Sequence, residues 1–330
     1  MSPTVMAATT QPRYSDSYLK EYNGDQVVAC CVVFVVLETF FVTLRFIARH
    51  VKKVSWGWDD ALVVSATIFS FGVIASCLVD VYAGGAGHHL AYVKMHSPER
   101  LETWAKMTLV IPLMYLPAVA LPKLSINALY LRIFSDRMNR VVCWIITGLV
   151  VANCIGSMVA AFVACVPLEF LWNRKLPGGG HCIDFNAWYR WGSLMNIFTD
   201  VVMLVVPIPV MLNLQASVKM KIGLILTFGV GSIGLVTAII RFVGFFSEDM
   251  AADGTWTATR LMILSVMEPG FYLLASCLVC LKPLLARVRD WMPLSQRSTV
   301  TDRWTEINVY RMTKVENKIT SSSSAATDRC

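Results

Sequence analysis

Residues 105–134, AKMTLVIPLMYLPAVALPKLSINALYLRIF, limit what this chain can fold into more than any other stretch. The run is long and apolar enough to cross a bilayer, which takes about 20 residues. Yet it holds Pro112, Pro117 and Pro122, with Lys123 directly after the last of them. Each proline deletes a backbone donor and favours a kink. A lysine in hydrocarbon costs at least ~2.5 kcal/mol. Such a helix needs neighbouring helices that take up the freed carbonyls and face the ammonium.

The rest of the chain supplies those neighbours. It is 56% hydrophobic and 15% charged, against about 45–50% and about 25% in soluble domains. Hydropathy predicts seven spans: Val27–Ile47, Ala61–Tyr82, Ala105–Leu131, Val141–Cys165, Tyr189–Leu214, Ile222–Phe246 and Leu261–Leu281. The expected fold is an all-α membrane protein, a seven-transmembrane helix bundle. Residues 1–26 form a polar amino-terminal segment, 27–283 the bundle and 284–330 a tail. Residues 1–26 lack the apolar core of a signal peptide, so the first span is expected to serve as the targeting signal.

Orientation follows from the loops. Segments 48–58, 132–140 and 215–221 carry eight basic residues in 27 positions. The amino terminus and segments 83–104, 166–188 and 247–260 carry seven in 85. Basic loops stay in the cytoplasm, so the amino terminus is expected outside or in a lumen and the tail inside the cell. The net charge of +7 thus reads as a topology signal and not as a nucleic-acid patch. Early in the tail, Lys282, Arg287, Arg289 and Trp291 suit either a short helix on anionic lipid or a frayed end of the last span. The serine run Ser321–Ser324 closes a polar segment of disorder-prone composition.

Ionisable residues inside spans mark functional positions, because leaving them unpaired in lipid is costly. Glu38, Asp200 and Glu268 lie deep in spans 1, 5 and 7, and Lys123, Arg45 and Arg241 in spans 3, 1 and 6; Asp80 is near one end of span 2. Matching depths predicts Arg241 with Glu268, and Lys123 with Asp59 or Asp60. Such pairs either fix helix packing or form a ligand contact, a lock or a proton donor. Pro269-Gly270 after Glu268 is expected to break the last helix beside a cavity, as Pro207 and Pro209 do in span 5. The bent spans suggest a central apolar pocket. His88, His89, His96 and His181 cluster in one set of loops with Asp80, but their spacing fits no metal-ligand pattern. No metal and no cofactor is expected. Cys165 and Cys182 flank Pro177-Gly-Gly-Gly180 on the side predicted to be oxidising, and are expected to pair. Cys277 and Cys280 read as packing in an apolar helix.

Several stretches in order resemble one family. They are Trp56-Gly57-Trp58-Asp59-Asp60, Gly85-Ala-Gly87-His88-His89, Leu121-Pro122-Lys123-Leu124-Ser125 running to Tyr130-Leu-Arg132-Ile-Phe134, Cys165-Val-Pro167 through Trp172 to Cys182-Ile-Asp184, Asp200 with Pro207-x-Pro209, and Arg241. Together they resemble the fungal rhodopsin-domain integral membrane proteins over about Val27–Pro283. That family includes receptor-like proteins tied to pathogenicity and membrane proteins of mycotoxin gene clusters. The resemblance implies that Asp59, Asp60, His89, Lys123, Arg132, Asp200 and Arg241 are marked positions. The residues themselves speak against retinal, which would need a lysine in the middle of span 7, where none stands.

Three functions compete at this stage. A receptor would take a lipophilic small molecule and a cytoplasmic signalling partner, although neither Asp-Arg-Tyr after span 3 nor Asn-Pro-x-x-Tyr at the end of span 7 is present. A membrane-embedded cyclase or isomerase of secondary metabolism would use a buried protonated acid, with Glu38, Asp200 and Glu268 as candidates and Tyr115, Trp144 and Phe198 as the aromatic lining. A scaffold or transporter-like accessory is the third; no inverted repeat supports transport. In each case the location is a plasma membrane or endomembrane.

Overall fold

The computed structural model describes residues 15–52, 57–133, 136–206, 208, 218–247 and 250–280. The described chain is helical almost throughout. A short α1 (Asp16–Lys20) precedes α2 (Gly24–Lys52) and α3 (Trp58–Val79), which runs into a π-helical turn at Asp80–Gly84. Then come α4 (Leu90–His96), α5 (Arg100–Ile133) and α6 (Arg137–Phe162). A connection with strands β1 (Cys165–Val166) and β2 (His181–Cys182), closed by the Cys165–Cys182 disulfide, leads to α7 (Phe185–Val205). Helices α8 (Val218–Ser247) and α9 (Met250–Cys280) complete the described set.

Six helices, α2, α3, α5, α6, α8 and α9, are long and apolar enough to cross a bilayer. Helix α7, with 21 residues, carries Arg190, Asn196 and Asp200 and is not among these six. The protein is an integral, multi-pass membrane protein. Pairings follow sequence order in part: α3 packs along α5, α5 against α6, α7 between α6 and α8, and α9 against α8, α2 and α5.

The surface pattern fits lipid outside and protein inside. On α2 the buried residues beyond Gly24 are Val27, Cys31, Phe34, Glu38, Arg45 and Ala48, at helical spacing. Val32, Val36 and Phe40 on the opposite face are more than half exposed, as a lipid-facing stripe should be. Helix α9 buries most of its length and is the element around which the others gather. It stays helical through Pro269 and Gly270; its one non-helical residue is Asp253. The expected break beside Glu268 is therefore absent. Gly270 serves close approach instead, since a Cβ there would meet the Phe34 ring at 2.3 Å and Glu38 Oε1 at 3.1 Å.

Candidate functional site

The deepest polar side chains form one connected net. Lys123 on α5 places Nζ 2.6 Å from Asp200 Oδ1 on α7 and donates to Asn196 Oδ1 at 2.6 Å. Asn196 Nδ2 donates to Glu268 Oε1 on α9 at 2.6 Å, and Arg241 Nε on α8 donates to Glu268 Oε2 at 3.1 Å. Arg241 then donates to the Tyr115 hydroxyl on α5 and lies over the Tyr115 ring, 4.4 Å from its centroid. Tyr272 covers Lys123 from α9, its ring centroid 4.9 Å from Nζ. Two cations meet two carboxylates, so the net is neutral and its charges are paired, which is what a low-dielectric interior demands. The Arg241–Glu268 pair expected from matching depth is present.

One proline of α5 has its missing bond made good by a neighbouring helix. Pro112 has no N–H to give the carbonyl of Thr108, one turn earlier. The Tyr189 hydroxyl on α7 donates to that carbonyl at 3.2 Å. A deleted intrahelical bond is thus replaced by a tie between two helices, the solution a membrane interior requires.

Above the net lies a cavity of about 140 Å3, roughly ten times the 10–15 Å3 that one water needs. Its wall comes from α5, α6, α7, α8, α9 and the π turn after α3. Tyr115, Asn196 and Arg241 belong to both the net and the wall. Trp104, Trp188, Tyr189 and Phe245 supply aromatic surface, and Asp80 supplies a carboxylate. Of the three acids singled out in the sequence, none lines this wall. Asp200 and Glu268 sit behind it in ion pairs, and Glu38 accepts from Ser70 Oγ at 2.7 Å between α2 and α3.

Two further polar clusters pin the ends of the bundle. At one end the buried Arg45 guanidinium donates to Asp60 Oδ1 at 3.2 Å, to Asp59 Oδ2 at 2.8 Å and to the Ser276 carbonyl at 2.7 Å. Arg49 joins the same two carboxylates. At the other end, His89 pairs with Asp253 between stacked Tyr18 and Trp256 rings, at centroid distances of 3.7 and 4.1 Å. Tyr18 also donates to Asp253 Oδ2 at 3.0 Å. Beside it His88, Tyr92 and His96 stack ring on ring. Burial and the nearby Arg100 guanidinium and His89 hold the His88 imidazole below its usual range.

Several expectations change. Lys123 meets Asp200 and not Asp59 or Asp60, because Arg45 and Arg49 of α2 occupy both of those carboxylates. Depth alone could not distinguish these partners, since it does not say which way each helix turns its face. Trp144 and Phe198 are 62% and 53% exposed and face away from the cavity; of the three aromatics expected to line it, only Tyr115 does. Asn196, which links the two ion pairs, was not anticipated because it carries no charge. Asp80 was visible as an intramembrane acid, but the π turn that places it in the cavity wall leaves no local sequence signature. The side chain of Arg132, Pro207, Pro209 and the tail from 281 lie outside the described residues.

Comparison with known proteins gives a consistent picture. The fungal rhodopsin domain matches residues 44–287. A polyenoic acids biosynthesis gene cluster protein of Metarhizium anisopliae is 35% identical over 279 residues, which is 81% of this chain and 76% of that protein. A SAT4 family membrane protein of Emericella nidulans is 28% identical over 61% of this chain and 49% of its own length. A receptor of Arthrobotrys oligospora, GIN3, is 23% identical over 65% of this chain and 51% of that protein. No solved structure matches the chain.

Proposed function

The chain belongs to the fungal rhodopsin domain family, and from that premise we propose that it is a receptor-like membrane protein that takes a lipophilic small molecule of secondary metabolism into its bundle. The observation that carries this reading is the cavity of about 140 Å3 set directly on a buried, neutral ion net. A molecule in that space touches Tyr115, Asn196 and Arg241, and these bridge four helices. Occupancy therefore has a physical route to relative helix position, the kind of bistable packing a switch uses. In the proposed orientation the amino terminus and the disulfide lie outside or in a lumen. The basic loops and tail face the cytoplasm, available to membrane lipid and to a signalling partner.

The relatives of biosynthetic clusters favour a pathway role; the relative named as a receptor favours a sensing one. The cavity serves either. Purification from a fungal host into nanodiscs, followed by mass spectrometry of released small molecules, tests the reading. Gly192 of α7 faces Ser157 of α6 across the cavity wall, where an added Cβ would lie 3.6 Å from Ser157 Oγ. A bound lipophilic compound that disappears in Gly192→Phe supports a ligand in the bundle; identical extracts from both proteins would refute it.

A second reading, a cyclase or isomerase with a buried acid, is favoured by one observation. Asp80 lines a cavity walled by tryptophan and tyrosine, and its buried carboxylate has no ion-pair partner among the described residues. Loss of a metabolite in an Asp80→Asn strain that still makes normal amounts of the protein would support it.

A further inference from the structure

Arg241 has more donors than the protein uses. A guanidinium carries five N–H groups and accepts nothing. Arg241 gives one from Nε to Glu268 Oε2 at 3.1 Å and one from Nη2 to the Tyr115 hydroxyl. No acceptor takes the rest among the described residues. Nor are they sealed in protein. Buried polar atoms without a partner do occur in this bundle, Arg190 Nε among them, but Arg241 Nη1 is not one. The Arg241 side chain is 7% exposed and lines the cavity, so Nη1 opens on that space.

The walls beside Arg241 are aromatic. Its guanidinium carbon lies 4.4 Å from the Tyr115 ring centroid and 5.6 Å from that of Phe245. Tyr189 stacks on Phe245 at 5.2 Å, with the ring planes 6° apart. All three rings line the cavity. Other polar groups of the wall are already engaged. The hydroxyls of Thr108, Thr199 and Ser265 donate to carbonyls of their own helices, and the Asn196 amide bridges Lys123 and Glu268. Among the described lining residues Arg241 is the one cation.

We propose that the chamber recognises a compact, uncharged aromatic carbonyl compound, its oxygen accepting from Arg241 Nη1 and its ring lying among Tyr115, Tyr189 and Phe245. The inference rests on the reading of the cavity as a ligand chamber. Size sets the first limit. An apolar cavity of about 150 Å3 holds benzene, so one of about 140 Å3 takes a single ring with a short substituent. Charge sets the second. Arg241 is already balanced by Glu268 and Lys123 by Asp200, and Asp80 adds a carboxylate to the wall. A guest anion would therefore be an uncompensated buried charge. A guest ammonium has no lone pair for the guanidinium. A neutral carbonyl oxygen takes the N–H without either penalty, and a bond from a charged donor is stronger than one between neutral groups.

The test uses the full chain in nanodiscs and four probes with equal numbers of non-hydrogen atoms: acetophenone, α-methylstyrene, benzoate and 1-phenylethylammonium. Saturable binding is read by equilibrium dialysis. Each affinity is referred to the probe's concentration in the bilayer, taken from empty nanodiscs of the same lipid. Acetophenone should bind at least about tenfold tighter than α-methylstyrene, which has the same shape with a methylene in place of the oxygen, and tighter than either charged probe. 9-Acetylanthracene, the same ketone on three fused rings, should show no saturable binding. Arg241→Met with Glu268→Gln withdraws the donors without stranding a charge. It should erase the advantage of the ketone and keep α-methylstyrene affinity within a few fold. Equal binding of acetophenone and α-methylstyrene, both lost in Gly192→Phe, would overturn the assignment to Arg241 and leave the ligand chamber standing. So would a preference for a charged probe, saturable binding of 9-acetylanthracene, or a ketone advantage that survives the double variant. Acetophenone binding that Gly192→Phe leaves unchanged, or no binding of any probe, would overturn both. Should the double variant fail to fold, the order of the probes on the wild type decides alone.

Discussion

Lys123 Nζ lies 2.6 Å from Asp200 Oδ1, with the two side chains 1% and 3% exposed. An ammonium and a carboxylate withdrawn this far tolerate each other's company and little else. Removing one partner leaves the other as an uncompensated buried charge, a loss of about 3–5 kcal/mol. Lys123→Met should therefore lower the thermal midpoint sharply, or abolish the monodisperse peak in fluorescence-detected size exclusion. The double variant Lys123→Met with Asp200→Leu should recover most of the loss, since apolar replacement of a whole buried pair is often neutral. A double variant no better than the single one would mean that the pair does more than balance charge.

Tyr189 and Pro112 are coupled through the Thr108 carbonyl. Tyr189→Phe should cost about 1–3 kcal/mol, the penalty for leaving a buried acceptor unsatisfied. In a Pro112→Ala background the same change should be nearly silent, because residue 112 then has an N–H for that carbonyl. A double-mutant cycle on detergent-solubilised protein measures this coupling. Additive effects would show that the proline and the tyrosine act independently.

The Cys165–Cys182 bridge closes a segment with a sequence separation of 17. For a loop of that size, chain entropy places its contribution at about 3 kcal/mol. Cys165→Ala should lower stability by that order and leave helix content by circular dichroism unchanged. Both thiols should resist alkylation in native protein until a reductant is added, by peptide mapping. Free reactivity of both without reductant would contradict the pairing.

His88 makes stability depend on pH in a defined direction. Burial, with Arg100 and His89 nearby, holds its imidazole below the ordinary value of 6.5. The unfolded chain then takes up the proton at higher pH than the folded one. The stability supplied by neutral His88 is full above about pH 6.5 and declines as pH falls through the lower folded value. His88→Phe keeps a ring to stack on Tyr92 and should flatten that part of the pH profile of thermal stability. An identical slope in the variant would assign the acid sensitivity elsewhere.

What the sequence carried was the helical bundle and its place in a membrane. Arg241 and Glu268 could be matched because their spans are consecutive in sequence and their depths agree. Lys123 could not be matched correctly, since depth pointed to Asp59 or Asp60 and helix azimuth, which turns it to Asp200, is a tertiary property. Asn196 escaped for a different reason: a neutral amide in an apolar run costs too little to mark itself, although here it joins two ion pairs. The π turn at Asp80 depends on how α3 ends against α5, so the residue facing the cavity could be seen as costly in lipid but not as accessible to a ligand. Of the seven expected spans, six coincide with helices long and apolar enough to cross a bilayer among the described residues; α7 is not among them, and its Arg190, Asn196 and Asp200 face neighbours that only the folded bundle reveals.

Cys154 offers the most direct measurement on the chamber itself. It is a free, half-buried thiol on α6 in the cavity wall, whereas Cys30, also free and half-buried, sits on α2 away from it. The alkylation rate of each by N-ethylmaleimide can be followed by mass spectrometry in nanodiscs, with and without saturating acetophenone. Cys154 should react several-fold more slowly when the probe is present, and more slowly in Gly192→Phe without any probe, while Cys30 keeps its rate throughout. A Cys154 rate that neither the probe nor the filled wall alters would contradict a ligand-accessible chamber above the Lys123–Asp200 and Arg241–Glu268 pairs.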